Sequence, residues 1–464
     1  MKKRAVEYGL LALLLWSPLP AASVEEWSIF VVELAAALMA AAYVLLDTKP
    51  PLNPHLPPVL KKMKPVTAAF FGFLALQVLP LPAGLVRILS PGSYGFRKLY
   101  APEFARMKFM TLSIAPAATL GAGLFLAALF ILGFLVLRTI SRGRQIRTLL
   151  AVLVGSGVFQ GLYGLFELTR DDPRILFYKK MFSPDSVTGT FVNRNHFSGY
   201  LEMIVPLALG LAIARMNMMS FGIKTLREKL VLWTSKGILV NVLILGGAVV
   251  MSLAVVLSNS RSGLVVLAFS VFLFLGFSVT AFSRTGFRQP WIGTTVRTTF
   301  LCVTILALTV GIGSTIKRFA LDDLLHEDRP QYWANTLEIV GDFPLFGTGL
   351  GTFASAYNPY ERESSSSRRL IHAHNDYLEY TAELGLVGAA LLFGGILYLA
   401  VSAYLAWRKR RNAQARAFAL GGIVSLAGIG LHAVTDFNLH IPANMVLFTA
   451  VLCLTLVMAY YRKS

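Results

Sequence analysis

The chain of 464 residues is 55% hydrophobic and only 14% charged, with a mean hydropathy of +0.63. Soluble globular proteins carry about 25% charged residues, which argues against a water-soluble enzyme, and the long apolar stretches without heptad spacing set aside disordered, collagen-like and coiled-coil chains. The formal net charge of +19, from 43 Lys+Arg against 24 Asp+Glu, would suggest nucleic-acid binding in a soluble domain. Here the basic residues sit in short connections between apolar stretches, with no interleaved aromatic patch, so no nucleic-acid partner is expected and the charge is read as membrane orientation.

A helix crossing a bilayer needs about 20 mostly apolar residues. The pattern predicts an all-α, polytopic transmembrane bundle of about twelve spans, forming one integral-membrane domain over 1–464. The predicted spans are 5–22, 28–46, 65–82, 112–137, 149–167, 197–214, 237–257, 262–282, 298–316, 384–407, 417–435 and 441–460. The first, opened by Met1-Lys2-Lys3-Arg4 and closed by Ala21-Ala22-Ser23, also fits a signal peptide. Cys302 and Cys453 fall inside apolar spans and read as small buried hydrophobes.

Orientation follows from the basic residues of alternate connections. With both termini on the cytosolic side, cytosolic segments hold 26 Lys+Arg and 2 Asp+Glu, and exterior segments hold 17 and 18. The exterior segments 83–111, 168–196, 258–261 and 317–383 are long or chemically dense. The large loop 317–383 is expected to be partly helical: Arg329-Pro330 marks a helix start, with Trp333, Leu337 and Val340 on one face. The run Phe343 to Gly351 (FPLFGTGLG) then breaks that helix. It is no nucleotide-binding loop, lacking the preceding strand and the lysine.

Three exterior places gather chemistry. His372-Ala373-His374-Asn375-Asp376 precedes span ten, where Asn375 can cap the helix and Glu379 and Glu383 occupy its first turns. An imidazole facing a helix N-terminus is kept neutral and can accept a proton, as a general base for a hydroxyl requires. Ser258-Asn259-Ser260-Arg261-Ser262-Gly263 forms a very short turn, and an arginine wedged between two apolar helices calls for an anion. Arg329 is the third. Two guanidiniums can clamp a diphosphate through forked hydrogen bonds. No set of His, Cys or Asp has metal-ligand spacing along the chain, so neither a metal nor another cofactor is expected. Secondary candidates for substrate contact are Arg194 and His196 at the mouth of span six, and His432 and Asp436, four apart near the exterior end of span eleven. Glu202, one turn into span six, is an intramembrane acid whose partner is invisible in the sequence.

These residues resemble a family. His374-Asn375, then nine residues, then Gly385-Leu386-Val387-Gly388, is similar to the histidine motif of bacterial O-antigen ligases. Arg261 and Arg329 stand where that superfamily of O-antigen ligases, polymerases and protein O-oligosaccharyltransferases carries exterior arginines. The motif-bearing core spans roughly 190–440. One departure is that Val265, not Leu, stands four residues after Arg261, with Leu264 one place earlier, which leaves the ligase subclass open.

The resemblance implies a metal-independent inverting glycosyltransferase of the bacterial inner membrane, with its active site on the periplasmic side. It implies an undecaprenyl-diphosphate-linked glycan as donor and an acceptor hydroxyl on lipid A–core or another glycan. On that reading His374 is the base, and Arg261 and Arg329 hold the leaving diphosphate. O-antigen ligation to lipid A–core is the leading expectation, and repeat-unit polymerisation of O-antigen or exopolysaccharide the alternative. A transporter or flippase for lipid-linked sugars is the alternative of another class. Against it stand the polar residues gathered at one surface rather than at the midplane.

Overall fold

A computed structural model describes residues 4–46, 57–219, 236–283, 298, 328–361 and 370–460. Among them nine helices are long and apolar enough to cross a membrane. They are α2 (Glu26–Leu45), α6 (Pro116–Thr139), α7 (Gly143–Leu168), α8 (Arg194–Met219), α9 (Lys236–Leu257), α10 (Arg261–Ser283), α13 (Asp376–Arg408), α14 (Ala413–His432) and α15 (Pro442–Tyr460). The chain is a polytopic helical membrane protein. Two predicted spans take other forms. The helix α1 (Ala5–Trp16) has 12 residues, and α3 (Pro57–Val78) brings Lys61, Lys62 and Lys64 into its first half. The predicted span 298–316, beyond its first residue, lies outside the described residues. Sheet is confined to two pairs of two-residue strands in the connections.

The centre of the bundle is α8, whose apolar stretch is wholly enclosed by protein. A helix apolar on all sides belongs in such a place. It packs most extensively against α14, and also against α7, α9, α10 and α15. Gly210 and Gly421 allow the approach to α14: a Cβ on either would stand 2.6 Å from a backbone oxygen of the other helix, Ala417 O or Pro206 O. Small residues at helix contacts serve this purpose where no hydrophobic drive separates helix from lipid.

Four shorter helices lie in the connections, α4 (Ala83–Leu89), α5 (Pro91–Tyr100), α11 (Arg329–Asp342) and α12 (Phe353–Tyr357), while α1 packs into the bundle against α2, α6 and α7. The start of α11 at Arg329 with Pro330 next agrees with the sequence reading, but its buried face does not. Asn335, Thr336 and Ile339 are buried while Leu337 is 55% exposed. The polar positions turn inward because Asn335 donates from Nδ2 to the Tyr357 hydroxyl at 2.9 Å.

Span ten is broken. Gly385 in α13 takes φ 62°, a left-handed conformation open to glycine at no steric cost. The carbonyls of Ala382 and Glu383 accept instead from the amides of Thr348 and Gly349, both at 2.9 Å, and the Leu386 amide donates to Pro344 O at 2.8 Å. Gln77 of α3 completes the join, donating to Phe346 O at 2.7 Å and Glu383 O at 3.1 Å and accepting from the Leu350 amide at 3.2 Å. Backbone released from a helix at membrane depth must find protein partners, and here it does. Gly385 is therefore a backbone break against the loop 343–351. A Cβ there would meet Leu345 backbone at 2.4 Å.

Candidate functional site

The site is built at one end of the bundle from the starts of α8, α10, α11 and α13 and the turn from α14 to α15. Asn375 is the N-cap of α13, its side chain accepting from the Leu378 amide at 3.1 Å. Just before it, His374 is held at φ 51°, a conformation uncommon outside glycine. The Ala373 amide on one side donates to Glu379 Oε2 at 2.8 Å, and Trp333 Nε1 donates to His374 O at 3.3 Å. This strained residue is kept by neighbours that fix both of its flanks.

The side chain of His374 pairs with a carboxylate 62 residues away. Its Nδ1 lies 3.2 Å from Asp436 Oδ1. Donation from Nδ1–H to that carboxylate leaves Nε2 as the lone-pair nitrogen, a tautomer assigned from its partner. Asp436 is fully buried. Its other oxygen takes Arg329 Nη2 at 3.5 Å and a short hydrogen bond from Asn195 Nδ2. The Phe437 amide donates to Oδ1 at 2.9 Å. His196 Nε2, at 3.7 Å from Oδ1, is an electrostatic neighbour rather than a donor. Burial alone would raise the Asp436 carboxyl; the His196 and His374 imidazoles overcome it and hold the group well below the usual carboxylate range.

Arg261 opens α10 behind its cap Ser260, whose hydroxyl accepts from the Gly263 amide at 3.1 Å. The next residue, Ser262, accepts a hydrogen bond from Thr435 at 2.9 Å, directly before Asp436. The α10 start and the Asp436 turn are thus in contact. Arg329 and His374 meet on one carboxylate, and Arg261 stands on the helix start against the same turn.

Other predicted residues take different places. His432 and Asp436 do not share a helix face, because α14 ends at His432. His432 turns into the core, its Nδ1 2.9 Å from Glu202 Oε2, and both side chains are fully buried. The hidden partner of Glu202 is therefore His432. Arg194 is the first residue of α8, with its carbonyl accepting from Ser198 at 2.7 Å. His372 faces away from Asp436 and toward Glu379, its Nδ1 2.7 Å from Oε1.

Sequence reasoning missed three residues. Asn195 lay inside a motif noted for its neighbours. Phe437 is the hub of the site: His372 stacks on its ring at 4.1 Å, while His196 and His374 meet it edge-on at 4.4 and 4.8 Å. His440 lies behind this ring. Its Nδ1 is 2.6 Å from Asp376 Oδ1 and its Nε2 3.4 Å from Glu379 Oε1. Burial lowers the His440 imidazole, but the Glu379 charge and the Asp376 hydrogen bond prevail and push it up to about 9. Only the run DFNL between Asp436 and His440 hinted that this turn carried polar groups in an apolar setting.

Comparison with protein families finds that residues 246–393 match the family described as O-antigen ligase. The matched stretch includes Arg261, Arg329 and His374; Asp436 lies beyond it. No curated protein matches the chain.

Proposed function

Residues 246–393 belong to the O-antigen ligase superfamily, and we propose on that premise that the protein is an inverting glycosyltransferase at the periplasmic face of the bacterial inner membrane. It moves a polysaccharide from undecaprenyl diphosphate to an acceptor hydroxyl, with lipid A–core as the acceptor. The observation that carries this reading is the pairing of His374 with buried Asp436, with Arg329 on the same carboxylate.

The chemistry follows from those contacts. Asp436 accepts from Nδ1–H, fixes the imidazole and favours the charge it acquires, as the orienting carboxylate of a catalytic triad does. His374 Nε2 takes the proton of the acceptor hydroxyl while its oxygen attacks the anomeric carbon. The bond from that carbon to the diphosphate oxygen breaks with inversion, and the electron pair leaves on the lipid diphosphate. Arg261 and Arg329 neutralise the departing group, where preorganised cations act most strongly on the transition state. The salt bridge to Asp436 aims the Arg329 guanidinium.

A second reading, repeat-unit polymerisation, is favoured by Val265 in place of the leucine of the ligase arginine motif. One experiment tests both: reconstitution in liposomes with a defined lipid-linked glycan and competing acceptors, lipid A–core and a second donor molecule. Ligation gives glycan on lipid A–core, and polymerisation gives lengthened lipid-linked glycan. His374→Ala is expected to abolish either product while the protein elutes and melts like wild type. Full transfer by that variant would overturn the base assignment, and movement of labelled donor without any acceptor would favour a flippase.

A further inference from the structure

We propose that His372, Glu379 and His440 form a binding site for a divalent transition-metal ion, with zinc the best-fitting, beneath the His374–Asp436 pair and separate from the transfer chemistry. The three residues come from the segment before α13, the first turn of α13 and the turn before α15. One ligand atom from each lies within 4.8 Å of the others, with His372 Nδ1 2.7 Å and His440 Nε2 3.4 Å from Glu379 Oε1. A first-row ion bound at about 2.0–2.2 Å bridges N and O donors at such separations.

The donor set is right for such an ion. Two imidazole nitrogens and one carboxylate oxygen suit zinc and its first-row neighbours, whereas calcium and magnesium prefer all-oxygen cages. Each donor is also oriented. Asp376 Oδ1 accepts from His440 Nδ1–H at 2.6 Å, the carboxylate–histidine arrangement that turns the other ring nitrogen toward a metal. Asp376 is itself fixed by the Leu439 amide at 2.9 Å. Glu379 gives Oε2 to the Ala373 amide at 2.8 Å, which turns Oε1 to the site. His372 is clamped flat on Phe437, at 4.1 Å and 16°.

A second observation points to a cation. With its Nδ1 proton given to Asp376, His440 turns the buried Nε2, which has no hydrogen-bond partner, toward the carboxylate Glu379 Oε1. An ion shared with Glu379 Oε1 would give this nitrogen the partner it lacks. Asp376, Glu379 and Glu383 are all at most 2% exposed, and Glu383 Oε2 also lacks a hydrogen-bond partner. Phe437 stands between this set and His374, so the ion fixes the strained 372–376 segment without touching the reacting oxygens.

The test uses untagged, detergent-purified full-length protein, stripped with EDTA and dialysed against zinc, manganese, calcium or magnesium. Metal analysis is expected to find one zinc per chain, with calcium and magnesium not retained, and zinc to raise Tm. Cobalt(II) in wild type is expected to give visible absorption bands of mixed nitrogen and oxygen ligation. His440→Ala and Glu379→Gln should lose the retained zinc, and Asp376→Asn should bind it about 10–100-fold more weakly. Wild type that retains no stoichiometric metal, shows no zinc-dependent Tm and gives no cobalt spectrum would overturn the site, leaving a proton on His440 as the joining charge. Equal zinc retention by His440→Ala and wild type would do the same. None of these readouts depends on glycan transfer, so the proposal stands or falls apart from the proposed activity.

Discussion

Two histidine–carboxylate pairs, His374–Asp436 and His440–Asp376, lie on either side of Phe437 and are built from the same two segments. Their surroundings differ in sign. Asp436 is met by an arginine, an asparagine and two imidazoles, and the His374 side chain is 26% exposed. Asp376 shares its neighbourhood with two more enclosed carboxylates, and the His440 side chain is 12% exposed. The first pair has a surplus of positive groups and an open side, which suits proton transfer beside an anionic leaving group. The second gathers three enclosed carboxyl groups about His440, with His372 24% exposed at its edge, which suits holding a cation.

The largest expected effect on this contrast comes from Asp436→Asn. It should lower kcat by about 10³–10⁴-fold through loss of the oriented tautomer, with KM little changed, in the reconstituted transfer assay. Zinc affinity should be unchanged; an equal loss of both would merge the two pairs into one unit. Next come Arg329→Lys and Arg261→Lys. A point-charge ammonium in place of a forked donor should reduce kcat by about 10²–10³-fold, read by initial rates at saturating donor. Near-wild-type rates in both would remove the cationic half of the contrast.

Smaller effects belong to a third pair, Glu202–His432, buried where no solvent reaches. Glu202→Ala strands an imidazole in the core and should cost about 3 kcal/mol of stability. The double variant with His432→Ala should cost less than the two single changes together, as read by denaturation in detergent. Additive losses would show that the two groups act independently. The smallest effect is in pH. The Asp436 pKa is depressed in the folded protein, so its stabilisation is fully present above the unfolded value of about 3.9 and is lost as pH falls through the folded value. Tm measured downward from pH 6 should therefore show a shallower acid limb in Asp436→Asn than in wild type.

Much of this was legible from residue order. The helical membrane class, the Asn375 cap and the α11 start at Arg329 came from local patterns, because hydropathy and capping act over a few residues. The Asp436 role was half-read: its place near the exterior end was evident, but helical spacing tied it to His432 when the helix in fact stops there. The His372, Glu379 and His440 set escaped because metal-ligand spacing is a linear criterion and these groups are joined across 68 residues by folding. The inward face of α11 was misjudged for a related reason. Apolar periodicity marks the buried side of a helix in water, whereas α11 buries Ile339 in one cluster with Phe353 and Tyr357 and buries Asn335 beside it for the hydrogen bond to Tyr357.

The left-handed kink at Gly385 has a bearing on how such proteins diversify. Because amides of 348–349 replace the ones the helix would have supplied, the loop and the kinked helix form a single inheritable module. Grafting the outer loop from one relative to another succeeds only if residues 382–387 and Gln77 travel with it. Sequence change is thereby channelled into the rest of the loop, away from the stretch that fixes the start of α13.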